Sequence, residues 1–151
     1  MKKTLVCLLV CISCTVVCAQ TQTHWTSVPI GDKTMICTCI LRFDGEEQVN
    51  PNLELGVFSN DGVCRGVKLP KQMPTTGRWL YQLVIKGIDG FTYTFKVYDH
   101  ETQQELSLTP MTSITYEARA ILGRAKNPYV LDFTSEEILH ETNPIEIEKS
   151  E

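Results

Sequence analysis

Lys33-Thr34-Met35-Ile36-Cys37-Thr38-Cys39-Ile40-Leu41-Arg42-Phe43 is the stretch on which the fold turns. Met35, Cys37, Cys39, Leu41 and Phe43 alternate with Thr34, Ile36, Thr38, Ile40 and Arg42. Successive residues of an extended chain point to opposite sides, so this period of two makes a strand with the first set as its core face. Asp44-Gly45 follows directly and is a hairpin signal, because both residues accept the positive φ of a tight primed turn.

The same grammar continues outward. Leu53–Asn60 is a second apolar run, stopped by Asn60-Asp61-Gly62, and Val63–Leu69 returns from that turn. Pro70 and Pro74 mark a loop that ends at Gly77. Arg78–Lys86 reads as a strand with Trp79, Tyr81, Leu83 and Ile85 on one face. Gly87-Ile88-Asp89-Gly90 then reads as a tight hairpin connection into Phe91–Asp99, where Phe91, Tyr93, Phe95 and Val97 share a face. Glu105–Leu108, Ile114–Leu122 and Tyr129–Phe133 are further strands, the middle one with some helical propensity. Short strands at this spacing, with Gly, Pro and Asp turns between them, predict an all-β fold: a small antiparallel β-sandwich, immunoglobulin-like or jelly-roll-like.

The two ends differ from this middle. Met1-Lys2-Lys3 is basic, Thr4–Ala19 carries no charge, and Val17-Cys18-Ala19 precedes Gln20 as a cleavage site would, so residues 1–19 read as a secretory signal peptide. The run is shorter than the roughly 20 apolar residues of a membrane span. A lipoprotein leader with Cys14 or Cys18 as the lipidated residue is the rival, and it alone would bring the protein to a membrane. Residues 20–135 form the domain, and residues 136–151 an acidic tail. The domain carries 12 acidic and 11 basic side chains, whereas the tail carries six Glu and one Lys. Glu-rich, with Pro144 inside it, the tail is expected to be dispensable for folding; Ile145-Glu146-Ile147-Glu148 as an added edge strand is the alternative. The compartment is then periplasmic, secreted or cell surface. With no basic face, nucleic acid is not an expected partner.

Catalytic chemistry has no foothold in the motifs. His24, His100 and His140 are not at metal-ligand spacing with one another or with Cys. No nucleophile elbow, zincin helix or phosphate loop occurs. Asp44, Asp61, Asp89 and Asp99 stand where turn chemistry puts them, without the density a calcium loop needs. The expectation is therefore a protein that is not an enzyme and that takes no cofactor or metal. Partner-binding candidates are Arg65, Trp25 and Tyr98. Arg65 should face outward if Cys64 faces the core; it then meets an acidic partner, locks the Asn60-Asp61-Gly62 loop, or pairs with Glu54. Trp25 and Tyr98 are the aromatic rings expected to be open for stacking on a sugar. Among the domain's three thiols, Cys37 and Cys39 share a strand face and make poor mutual partners. One disulfide is expected, from Cys64 to Cys37 or Cys39, in keeping with an oxidising compartment.

Taken in order, Trp25, the Met-led strand, Asp44-Gly45, Glu54-Leu55-Gly56-Val57-Phe58, Cys64-Arg65-Gly66, Phe95-Lys96-Val97-Tyr98-Asp99 and Asn127-Pro128 resemble a β-sandwich module of secreted and surface proteins of Bacteroidetes. In that module the series runs Glu-[Ile/Leu]-Gly-Ala-Phe, Cys-Arg-Gly and Thr-Phe-[Lys/Arg]-[Val/Leu]-Tyr-Asp. The resemblance spans Trp25 to Phe133 and implies the sandwich and the compartment, but no activity. Such modules often sit in long chains with a C-terminal sorting domain. A single module with an acidic tail gives no ground for a sorting role. The functional expectation is a non-catalytic module that binds a surface protein or glycan outside the cytoplasm, with a structural or assembly subunit as the alternative.

Overall fold

The computed structural model describes residues 22–136, and within them the chain is all strand, turn and loop. The elements in chain order are β1 (Thr34–Phe43), β2 (Glu46–Glu47), β3 (Leu53–Ser59), β4 (Cys64–Lys68), β5 (Lys71–Gln72), β6 (Trp79–Lys86), β7 (Thr92–Asp99), β8 (Gln104–Glu105), β9 (Leu108–Pro110), β10 (Ile114–Thr115), β11 (Ile121–Leu122) and β12 (Tyr129–Ser135). They form two sheets packed face to face. A seven-stranded sheet has the order β5-β6-β1-β12-β9, with β11 and β2 also paired to β1; a five-stranded sheet has the order β10-β7-β3-β4, with β8 on β7. The β-sandwich read from the pattern is the fold.

The core is built by the alternation that the sequence displays. Met35, Cys37, Cys39 and Leu41 of β1 join Tyr81, Leu83 and Ile85 of β6 and Leu131 and Phe133 of β12. Against them pack Leu53, Leu55 and Val57 of β3 and Tyr93, Phe95 and Val97 of β7. Two tyrosine hydroxyls find carbonyls at the margins, Tyr81 donating to Leu53 O at 3.0 Å and Tyr116 to Lys33 O at 2.7 Å, whereas the buried Tyr93 hydroxyl has no partner among the described residues. The Asp44-Gly45 hairpin forms as expected, with φ of 48° and 89° and Phe43 opposite Glu46.

Four local expectations are corrected. β6 and β7 are not a hairpin. β6 pairs with β1 and β5, β7 pairs with β3, β10 and β8, and the Gly87–Gly90 link is a corner between the sheets. A short Gly-bounded link between two alternating strands has the same local sequence whether it turns within a sheet or crosses to the other. Ile114–Leu122 is not one strand: it divides into β10 in one sheet and β11 in the other, with Arg119 between them at φ 70°. Glu105–Leu108 likewise parts into β8 on β7 and β9 on β12. Finally, the sandwich is not wholly antiparallel, because β1 pairs in parallel with β11 and with β12, Phe43 lying opposite Phe133. The chain passes through the other sheet before returning, which is the long crossover a parallel pair requires.

Candidate functional site

The three residues expected to bind a partner lie together: Arg65 and Tyr98 hold the chain's own segment Thr23–Val28, to which Trp25 belongs. This strap crosses the outer face of the five-stranded sheet. On β3 the residues that face it are Glu54, Gly56 and Phe58, two apart. The Glu54 carboxylate is fully buried and accepts the N–H of His24 at 2.9 Å and of Trp25 at 3.1 Å. His100 Nε2 lies 2.6 Å from its other oxygen. The Trp25 ring occupies the space over Gly56, where a Cβ would approach it to 2.7 Å, so any side chain there would displace the ring. Beyond it Trp25 meets Phe58 edge to face, centroids 5.3 Å apart, and Lys96 sits 5.4 Å from the Phe58 ring. The carboxylate, the gap and the ring of Glu54-Leu55-Gly56-Val57-Phe58 thus form a cradle for the strap.

Arg65 secures the other end. It is 7% exposed and donates to Ser59 Oγ at 2.8 Å, Asp61 at 2.8 Å and the Val28 carbonyl at 3.1 Å. The Val28 N–H donates in turn to Cys64 O at 2.8 Å. The Ser59 hydroxyl, the Val63 N–H and Arg65 hold the Asp61 carboxyl below the usual carboxylate range. Arg65 is therefore a loop and strap lock. It does not reach outward, and it does not pair with Glu54. The outward expectation failed because β3 and β4 slip by one residue between Val57 and Phe58. Cys64 lies opposite Phe58 and Gly66 opposite Val57, which leaves Arg65 as the extra residue of a bulge.

Tyr98 and Trp25 are also corrected. Tyr98 is 7% exposed, one ring face covered by His24 at a centroid distance of 3.7 Å, and Trp25 is half-buried. Tyr98 offers no free face to a sugar, and the Trp25 ring is engaged by its seat over Gly56. Gln22, Thr23, His24, Tyr98, His100 and Gln103 line a polar depression of about 360 Å³ there. The anticipated disulfide is absent as well. Cys37, Cys39 and Cys64 are all free and buried. The same bulge explains this, since Cys64 is set opposite Phe58 and lies outside the cluster that contains the other two. The Cys39 thiol is pushed up by its hydrogen bond with Cys37 and by burial, and burial raises Cys64. Among the described residues no three His, Cys, Asp or Glu side chains are grouped to hold a metal. Glu54 as the centre of this constellation was missed; its signal was a lone carboxylate inside an otherwise apolar strand.

The open surface lies on the other sheet. On its outer face Val84, Ile36 and Ile121 stand in register across β6, β1 and β11. Val84 and Ile121 are each 57% exposed. This row leads toward a groove of about 350 Å³ whose floor is Thr38, Leu80 and Gln82 and whose wall is Leu69 and Met73. Lys68 and Lys71, both exposed, stand at its rim. None of these lining residues is aromatic, acidic or His. Nothing in the strand pattern announced the groove, because its wall comes from Leu69 and Met73 on either side of β5, the short strand that pairs with the β6 edge.

Comparison with known proteins gives no matching family model, no similar curated protein and no similar solved structure.

Proposed function

We propose that this chain is an exported, non-catalytic β-sandwich module that binds a protein partner outside the cytoplasm through the outer face of its seven-stranded sheet. The observation that carries the reading is the aliphatic row of Val84, Ile36 and Ile121 beside a groove rimmed by two lysines. Contiguous apolar surface rimmed by polar groups is characteristic of interaction sites. A protein is favoured over a glycan because the groove lacks a ring to stack on a sugar and the rings of Trp25 and Tyr98 are engaged by the strap. Export and surface location rest on the Met1–Ala19 leader and on the resemblance to the surface modules of Bacteroidetes.

The test is capture on immobilised protein, from the secreted and surface proteins of the source cell and from a glycan array. We expect a discrete protein to be retained, and the double variant Val84→Glu, Ile121→Glu to weaken its capture by about tenfold or more. Equal capture by wild type and variant, or retention of glycans alone, overturns the reading. The alternative, an assembly subunit, draws on the same row, since an aliphatic patch is complementary to its own copy. Light scattering that shows long polymers, shortened in the double variant, would favour it.

A further inference from the structure

We infer that the groove on the seven-stranded sheet is a docking site for the chain's own C-terminal segment, 137–151. The inference rests on the groove being the binding face proposed above, and three observations single out this occupant. The first is charge. Lys68 and Lys71 are exposed at the rim, and neither is among the described ion pairs, in which Arg42, Arg65, Arg78, Lys96 and His100 take part. The segment carries Glu137, Glu141, Glu146, Glu148 and Glu151 against the single cation Lys149.

The second is pattern. Ile145-Glu146-Ile147-Glu148 puts two isoleucines on one side of an extended chain and two carboxylates on the other. Ile145 and Ile147 match the apolar side chains of Leu69, Met73 and Leu80 in the groove, and the carboxylates match the charge of the two rim lysines. The third is reach. Asp44 accepts both the N–H and the hydroxyl of Ser135, so the domain's last strand leaves beside the β1–β2 turn. Thr38 on the groove floor lies six residues back along β1, about 20 Å away at the rise of a strand. The nine residues from Glu136 to Ile145 span up to about 30 Å when extended. The segment therefore reaches the groove with slack for the lateral step to β6.

The experiment compares chain 20–151 with chain 20–136. Zero-length carbodiimide coupling at low protein concentration, followed by peptide mapping, should join Lys68 or Lys71 to Glu146 or Glu148 within a single molecule. Hydrogen exchange should show the amides of Leu69, Lys71, Gln72 and Met73 exchanging at least about threefold slower in the longer chain. Lys68→Glu with Lys71→Glu, two exposed positions that leave the core untouched, should abolish that difference. Equal exchange in the two chains, or coupling confined to other lysines or to pairs of molecules, overturns the inference. The functional reading fails separately: it falls if Val84→Glu, Ile121→Glu leaves partner capture intact in the shorter chain, whatever the tail does.

Discussion

At the scale of single residues, one carboxylate does the most. Glu54 is buried among β-strand residues yet meets two backbone N–H groups and an imidazole nitrogen, so its polar capacity is used rather than stranded. A hydrogen bond to a charged group contributes about 1.5–3 kcal/mol, and an orphaned buried donor costs about 1–3 kcal/mol. Glu54→Ala should therefore lower stability by about 2–4 kcal/mol, read as a fall in the urea midpoint, with Trp25 fluorescence shifting to the red as the strap lifts. An unchanged midpoint would mean that the strap is held by Trp25 packing alone. Gly56 belongs to the same design, for its missing side chain is the Trp25 seat.

At the scale of elements, the parallel pairing of β1 with β12 is tied by charge as well as by the ladder. Arg42 and Asp132 lie opposite each other in register and form a two-pronged pair, the Nη2 arm at 2.7 Å. At the next turn Glu47 of β2 pairs with Arg78 before β6, and Asp44 accepts from Ser135. Arg42 holds the Asp132 carboxyl below its usual range, Arg78 does so for Glu47, and the Ser135 hydroxyl and N–H do so for Asp44. A carboxyl depressed in the folded state stabilises above its unfolded value and loses that contribution as pH falls through the folded one. The domain should therefore hold its melting temperature from neutral pH down to about pH 4 and lose it progressively below. Asp132→Asn should flatten that acid decline while lowering the melting temperature at pH 7. A decline of the same steepness in the variant would remove Asp132 from the account. The surface exposure of these pairs keeps the expected effect modest.

At the scale of the whole molecule, the two outer faces have different roles. The five-stranded sheet is closed by the strap, which buries the Phe58 ring and the face of Tyr98; the seven-stranded sheet keeps an aliphatic row in solvent. A chain starting at Pro29 should therefore melt well below the 20–151 chain and aggregate, because the Phe58 and Tyr98 surface is uncovered. A chain ending at Glu136 should stay folded, with its melting temperature within a few degrees. Scanning calorimetry on the two truncations checks both outcomes, and the opposite ranking would make the tail rather than the strap the structural segment.

The sequence by itself determined the sandwich, the position of most long strands and the core face of β1, β6 and β7, because alternation with a period of two is a local property of the chain. Met35, Cys37, Cys39 and Leu41 could be assigned to the interior from their spacing alone, and the Asp44-Gly45 turn from its chemistry. Partnership between strands was decided only by the tertiary structure. Whether Gly87–Gly90 turns back or crosses over depends on β1, dozens of residues away, offering β6 its edge. Whether Arg65 points out depends on a one-residue slip between β3 and β4 that leaves no mark in the composition of either strand. The roles of Trp25, Tyr98 and Glu54 waited on the strap, and the groove on the pairing of β5 with the β6 edge. Each is a contact between segments remote in the chain, where the free energy of packing selects among arrangements that the local pattern permits equally.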